Sequence, residues 1–154
     1  MENKELIEFL KSQKLLVLST VDKDGEPWVS NVYYSVDGEF NLFFVSPADT
    51  KHIEHLEHNP KVAFSIAWFD PDNLVDRKGI QGQGTCERII EPKEMMSLLK
   101  NHAKYFPLWR DLITYENIKN RIIQSKPYLI KPSYIKFWND ELYGKEGTKE
   151  FTFE

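Results

Sequence analysis

Residues 15–46 read LLVLSTVDKDGEPWVSNVYYSVDGEFNLFFVS and contain three runs rich in β-branched and aromatic residues, at 15–21, 27–36 and 40–45. Two polar turns separate these runs, the first at 22–25 and the second at Asp37-Gly38. Asp-Gly is favoured in two-residue hairpins because glycine readily adopts the positive φ that primed turns require. The stretch therefore predicts an antiparallel meander of three strands.

Outside the meander, helical and extended patterns alternate. Helices are predicted at 2–13, at 50–58, from Pro92 onward and at 108–123, and strands at 61–69, 79–90, 128–130 and 134–138. The segment 70–76 reads as a polar loop, and the tail beyond Gly144 is expected to be loose. About six strands with inserted helices indicate a mainly β fold, a six-stranded antiparallel, Greek-key-like split barrel with peripheral α-helices. One domain is expected over residues 1–154.

Composition excludes several classes of protein. With 41% hydrophobic and 29% charged residues in 154, the chain is neither disordered nor fibrous. No apolar run approaches the roughly 18 residues of a membrane span, and Met1 to Glu5 lack the cationic start of a signal peptide. Cys86 is the only cysteine, which excludes a disulfide framework and favours a structural thiol. We therefore expect a cytoplasmic protein without a membrane partner.

The charge balance does not favour nucleic acid as a partner, because 24 acidic against 20 basic residues give a net charge of −4. The segment 119–136 is locally basic, with five bases and no acid. We interpret it as a solvated face of the protein.

A candidate anion site lies where the third strand leads into a helix, at Ser46-Pro47-Ala48-Asp49-Thr50-Lys51. Helix N-termini present unpaired N–H groups and a partial positive charge, to which this sequence adds hydroxyls and an ammonium group. The pattern suits a phosphate. It also suits a helix that Asp49 or Thr50 simply caps, with Lys51 in solvent.

His52, His55 and His58 recur at every third residue of the same predicted helix. Zinc requires three or four ligands, and no thiolate or carboxylate on this helix face completes such a set. We interpret the histidines as an exposed or interfacial face and expect no metal site.

The order of these features resembles the FMN-binding split barrels of the pyridoxamine 5′-phosphate oxidase superfamily. The resemblance covers residues 14–91 and the closing strand near 132–138. It rests on the strand 28–34, the Asp37-Gly38 hairpin, Phe43-Phe44-Val45-Ser46, Thr50-Lys51-His52, Asn59-Pro60-Lys61-Val62 and Gln83-Gly84-Thr85.

The resemblance implies a homodimer with FMN at the subunit interface. By correspondence of position, the residues that contact FMN would be Ser30, Asn31 and Val32 at the ring edge, Val45 and Ser46 beside the ribityl chain, Thr50 and Lys51 at the phosphate, and Gln81 near the ring. Trp109 and Trp138 are candidates for aromatic cover supplied by the partner subunit.

The implied activity is that of a flavin-dependent oxidoreductase with a small-molecule substrate and an electron donor such as NAD(P)H. Pyridoxamine phosphate oxidation itself is not expected, because the chain has no arginine after Arg121 and no histidine after His102. No catalytic residue is assigned. Two alternatives remain open, a non-catalytic flavin-binding or electron-transfer protein, and a module that binds haem or another ligand.

Overall fold

The computed structural model describes residues 3–154, and its centre is a β-barrel with short helices around it. The strands are β1 (Leu15–Val21), β2 (Pro27–Val36), β3 (Leu42–Pro47), β4 (Lys61–Trp68), β5 (Lys78–Arg88), β6 (Ser125–Asn139) and β7 (Thr148–Thr152). The helices are α1 (Lys4–Ser12), α2 (Lys51–His58), α3 (Pro92–Tyr105), a 3-10 turn (Pro107–Trp109), α4 (Tyr115–Lys119) and α5 (Asp140–Tyr143).

The strands follow the order β3-β2-β1-β4-β5-β6-β7, and all paired neighbours are antiparallel. A further ladder between β3 and β6 closes six of them into a barrel, while β7 pairs with the C-terminal half of β6 outside it. The predicted mainly β, six-stranded antiparallel barrel with inserted helices is confirmed. The structure adds one outer strand to it.

Two apolar clusters stabilise this arrangement. The first fills the barrel with alternate strand residues, and α1 adds Leu6 and Leu10, both fully buried. The second lies outside the barrel, where α3 and α4 cover Phe43 and Leu129 on the outer surfaces of β3 and β6. Because strand side chains alternate between faces, the same two strands contribute to both clusters.

The predicted break of the last strand at Pro132 is wrong, since β6 runs without interruption from Ser125 to Asn139. Pro132 pairs with Gly84 where the β5–β6 register shifts, and a proline is tolerated at such a bulge because fewer ladder hydrogen bonds are required there. A Cβ on Gly84 would lie 2.2 Å from the carbonyl oxygen of Lys131. The glycine therefore permits the close approach that keeps β6 continuous.

Two other predictions need correction. The tail beyond Gly144 is not loose, because β7 pairs with β6 and Phe151 is buried in the barrel cluster. The segment 108–123 is not one helix. It contains the end of the 3-10 turn and the short α4, which begins after Thr114, whose side chain accepts a hydrogen bond from the Asn117 N–H.

The remaining elements agree with the predicted ones to within about two residues at most ends. The predicted helix 2–13 corresponds to α1, although residue 2 lies outside the described part of the chain.

Cys86 is buried in the barrel, and this burial raises the pKa of its thiol. None of the helices in residues 3–154 combines the length and hydropathy that crossing a bilayer requires.

Candidate functional site

The barrel is open between β2 and β3. Their ladder covers only residues 34–36 of β2, so residues 27–33 have no strand partner on that edge. The Tyr34 N–H donates to the Lys14 carbonyl on the β1 side. Since backbone groups of successive strand residues point to opposite edges, those of Asn31 and Tyr33 point into the opening. We call this opening the split, and it offers donors and acceptors to a ligand.

The N-terminus of α2 follows directly from the β3 side of the split. Thr50 occupies the N-cap position, but no side chain caps the helix, because the Thr50 hydroxyl donates to the Pro47 carbonyl at 3.0 Å. The first-turn N–H groups are therefore left for water or a ligand, and the helix dipole favours an anion beside them.

Lys51 adds a full positive charge at this position. Its Nζ lies 4.1 Å from the centre of the Trp28 ring, at the start of β2. An ammonium group over an indole face is attracted by about 0.5–1 kcal/mol where the site is exposed. Lys51 thus connects the helix N-terminus to the opposite side of the split, a contact that sequence alone did not indicate.

The predicted ligand-binding residues line different parts of this region. Ser30 to Val32 lie on the β2 side of the split, Val45 and Ser46 on the β3 side, and Thr50 and Lys51 at its end. Gln81 lies elsewhere, on β5, where the register places it in one row with Asn31, Val17 and Ser65.

Several of these side chains point away from the split. Val32 is buried in the barrel cluster, and Val45 packs against the cluster beneath α3. The Ser46 hydroxyl lies 2.8 Å from His52 Nε2. Only the Ser30 hydroxyl is both buried and without a hydrogen-bond partner among the described residues.

The row that contains Asn31 and Gln81 belongs to an exposed face of β2, β1, β4 and β5. We call it the outer face. Large apolar side chains on it include Val29 and Tyr33, with exposed fractions of 62% and 54%, and Leu15 with 50%. Contiguous apolar surface of this kind is typical of an interaction site.

The histidine face is predicted to be exposed or interfacial. His58 is exposed, whereas His52 and His55 are buried where α2 packs on the barrel. His55 Nδ1 lies 3.0 Å from the Thr20 hydroxyl on β1. Because α2 covers this end of the barrel, both buried rings pair with hydroxyls of the strands below. In residues 3–154, no group of three or more acidic, histidine or cysteine side chains is placed to hold a metal ion.

Replacing Thr20 with valine is expected to lower the free energy of unfolding by about 1–2 kcal/mol, because His55 Nδ1 would stay buried without a partner. Urea denaturation at pH 8 measures the effect. Thr85→Val is the matched control, since Thr85 is exposed on β5. Equal stability of the two variants would contradict the role of the hydroxyl.

Aromatic residues extend the site beyond the split. Trp109 stacks on Phe106 with ring centres 5.3 Å apart and also contacts Tyr33 at the edge of the outer face. The Trp138 ring packs over Gly79, where an added Cβ would lie 3.0 Å away. Both indoles therefore have contacts within their own chain, and cover of a partner's ligand stays a prediction.

The closed ladder of six strands, the split and the helix N-terminus beside it define a split-barrel protein. The chain belongs to the pyridoxamine 5′-phosphate oxidase family, whose profile matches residues 3–139. A UPF0306 protein from Enterobacter sp. (strain 638) is 29% identical over 129 residues, which represent 82% of this chain and 81% of the relative.

Solved structures share the fold at low sequence identity. A heme binding protein from Mycobacterium smegmatis superposes with a TM-score of 0.72 and 17% identity over 92% of this chain, which spans 53% of that protein. HutZ, the heme storage protein from Vibrio cholerae, gives a TM-score of 0.69 and 20% identity, covering 84% of this chain and 89% of its own. At these identities the likeness establishes the fold alone.

Proposed function

We propose that the protein is a cytoplasmic flavoprotein that binds FMN in the split and acts as an oxidoreductase on a small, flat substrate. The observation that carries the proposal is the uncapped N-terminus of α2 with Lys51 beside it, at the end of an unpaired strand edge. A phosphate at one end and a hydrogen-bonding ring at the other match these two features.

The residues present fit the cofactor. The first-turn N–H groups of α2 and Lys51 Nζ would hold the phosphate, with Thr50 beside them. The backbone groups of Asn31 and Tyr33 would bind the polar edge of the ring. The Ser30 hydroxyl, which is buried without a partner, has its hydrogen-bonding capacity free on the same strand.

FMN, when bound, would supply hydride transfer between a donor such as NAD(P)H and the substrate. The chain would hold and orient the ring and exclude water from it. No side chain at the split is assigned as an acid or base, so a protein that only binds flavin or transfers electrons would use the same site.

The same proposal includes a homodimer in which the outer face is covered by a second copy. Its exposed apolar residues border the split at Tyr33, so a partner placed there would also cover the ring. Gln81 and Asn31 share that face, and their amides would become donors and acceptors at the interface.

Haem binding is the second candidate, because two structural neighbours are described as a heme binding and a heme storage protein. Among the four histidines of the sequence, His58 is the exposed one, and the other three lie next to hydroxyl groups. An axial imidazole would therefore come from His58 unless a buried pair opens.

The test begins with a visible spectrum of protein purified without added cofactor, followed by titration with FMN, FAD and haem. FMN binding at micromolar or tighter affinity, with one site per subunit, supports the flavoprotein proposal. Oxidation of NADH or NADPH with flat acceptors then separates an enzyme from a flavin carrier. If the protein binds haem and not FMN, and if His58→Ala abolishes haem binding, the flavoprotein proposal is wrong and the haem-binding candidate takes its place.

A further inference from the structure

A small basic pocket lies apart from the split, where the end of β5, the helix α4 and the start of β6 meet. Four cationic side chains line it, Arg88, Lys119, Arg121 and Lys126. Its volume is about 280 Å³. Buried Ile89, Met95 and Ile118 form part of the wall. No residue is shared with the proposed flavin site, and the pocket uses part of the basic segment seen in the sequence.

None of the four cations forms an ion pair within the described part of the chain. The sequence contains only four arginines. Within residues 3–154, Arg77 pairs with Asp140 and Arg110 with Asp111, so the two arginines without an acidic partner in that range are the two in this pocket. Such concentration of unpaired guanidinium groups favours an anion from solution.

Glu91 and Glu57 lie near the pocket without forming an ion pair with its four cations. Glu91, which follows the pocket residue Ile90, caps α3, and its two carboxylate oxygens accept hydrogen bonds from the N–H groups of Lys93 and Glu94. Glu57, on α2, lies near Tyr128, where burial and the charge of Glu57 raise the pKa of the phenol and the charge of Arg88 lowers it. Glu57 nevertheless forms no ion pair with Arg88.

The backbone at Arg121 is a second, independent observation. Its φ is +57°, the left-handed conformation, directly after Asn120, the C-cap of α4. Helices commonly end with glycine or asparagine in this conformation, because a larger side chain raises its energy. Here an arginine occupies the position, and its side chain lines the basic pocket.

We propose that the basic pocket binds the phosphate or pyrophosphate group of a small molecule. Two guanidinium groups can each bind phosphate oxygens in a bidentate manner, and two ammonium groups add point charges. A multiply charged anion fits four cations better than a carboxylate does. The pocket is concave and small, and the chain is acidic overall, so a nucleic acid backbone fits it less well.

Titration calorimetry with inorganic pyrophosphate tests the proposal, at low ionic strength and without metal ions. The titrations use Lys51→Ala protein, in which the proposed flavin site binds phosphate groups more weakly and contributes less to the signal. We expect saturable binding that Arg88→Gln weakens by roughly 10- to 150-fold, the loss typical of one hydrogen bond to a charged group. Arg110→Gln is the control for charge and should leave the affinity unchanged.

Arg121→Gly gives the sharper result, because two effects of opposite sign are expected. Pyrophosphate affinity should fall by a similar factor. Tm should rise by roughly 2–6 °C, because glycine adopts the left-handed conformation at residue 121 without the strain that arginine has there. Lower affinity with higher stability cannot come from damage to the fold. Absence of saturable binding, or equal affinity of the Arg88→Gln, Arg121→Gly and Arg110→Gln proteins, would overturn the proposal and leave the flavin proposal untouched.

Discussion

Replacing Lys51 with alanine should weaken FMN binding by about 1.5–3 kcal/mol, a rise in Kd of roughly 10- to 150-fold. The variant removes the one full positive charge that lies at the uncapped first turn of α2. The helix N–H groups would remain, so binding should weaken rather than vanish. Quenching of flavin fluorescence during titration measures both proteins under the same ionic strength.

Two further variants separate this effect from its alternatives. Lys51→Arg keeps the charge and should restore most of the affinity. Lys11→Ala removes an equal charge from the exposed end of α1, away from the split, and should leave the FMN affinity unchanged. If Lys51→Ala bound FMN as tightly as the unchanged protein, the phosphate would have to lie elsewhere, and the basic pocket would be the next place to examine.

The barrel could be predicted because its first three strands are neighbours in sequence. The loop 37–41 joins β2 to β3, and Asp37 accepts hydrogen bonds from the N–H groups of Glu39 and Asn41. The predicted position of the hairpin is right, but the predicted two-residue turn is wrong, because the positive φ falls on Phe40 and not on Gly38. Local turn chemistry therefore specifies the meander. The continuity of β6 through Pro132 could not be predicted, since it depends on Gly84 being placed opposite by a strand far away in sequence.

The same reason explains what the sequence missed in β7 and at the histidines. The segment 148–152 has a weak strand pattern, and burial of Phe151 against the barrel decides its conformation. The pairing of His55 with Thr20 spans 35 residues and requires the register of the sheet. Side chains that recur at helical spacing look exposed until the strands beneath α2 are known.

At the candidate site, the segments predicted on β2, on β3 and at the start of α2 lie around the split, whereas Gln81 on β5 does not. The sequence did not predict which groups of these segments face the opening. On β2 the backbone groups of Asn31 and Tyr33 point into the opening, while the side chain of Val32 is buried in the barrel. Residue type carries little information about such a site, since any residue presents an N–H and a carbonyl. This is why one fold accommodates different ligands, and why Lys51, a side chain at the end of the split, is the more informative position.

Lowering the pH should reduce the free energy of unfolding, beginning well above the pH at which carboxylates protonate. His102 should account for about 3 kcal/mol of this reduction. His102 is buried between Phe43 and Phe106, and its Nδ1 lies 2.9 Å from the Ser35 hydroxyl. Burial lowers the pKa of His102 to about 4. In the unfolded chain the pKa is near 6.5, so the unfolded state binds the extra proton as the pH falls from 6.5 to 4.

Stability is therefore highest above pH 6.5, and it is progressively lost below this value. The pKa of His52 is also lowered by burial and contributes in the same direction. Urea denaturation between pH 8 and 4 measures the slope of the free energy of unfolding against pH.

His102→Asn keeps a polar partner for Ser35 but cannot take up the proton. It should therefore be less stable at pH 8 and lose less free energy of unfolding on acidification. His58→Asn, at an exposed position, should reproduce the slope of the unchanged protein. Parallel curves for all three proteins would mean that His102 has the same pKa in the folded protein as in the unfolded chain, so that Ser35 and the solvent accommodate its proton at no cost.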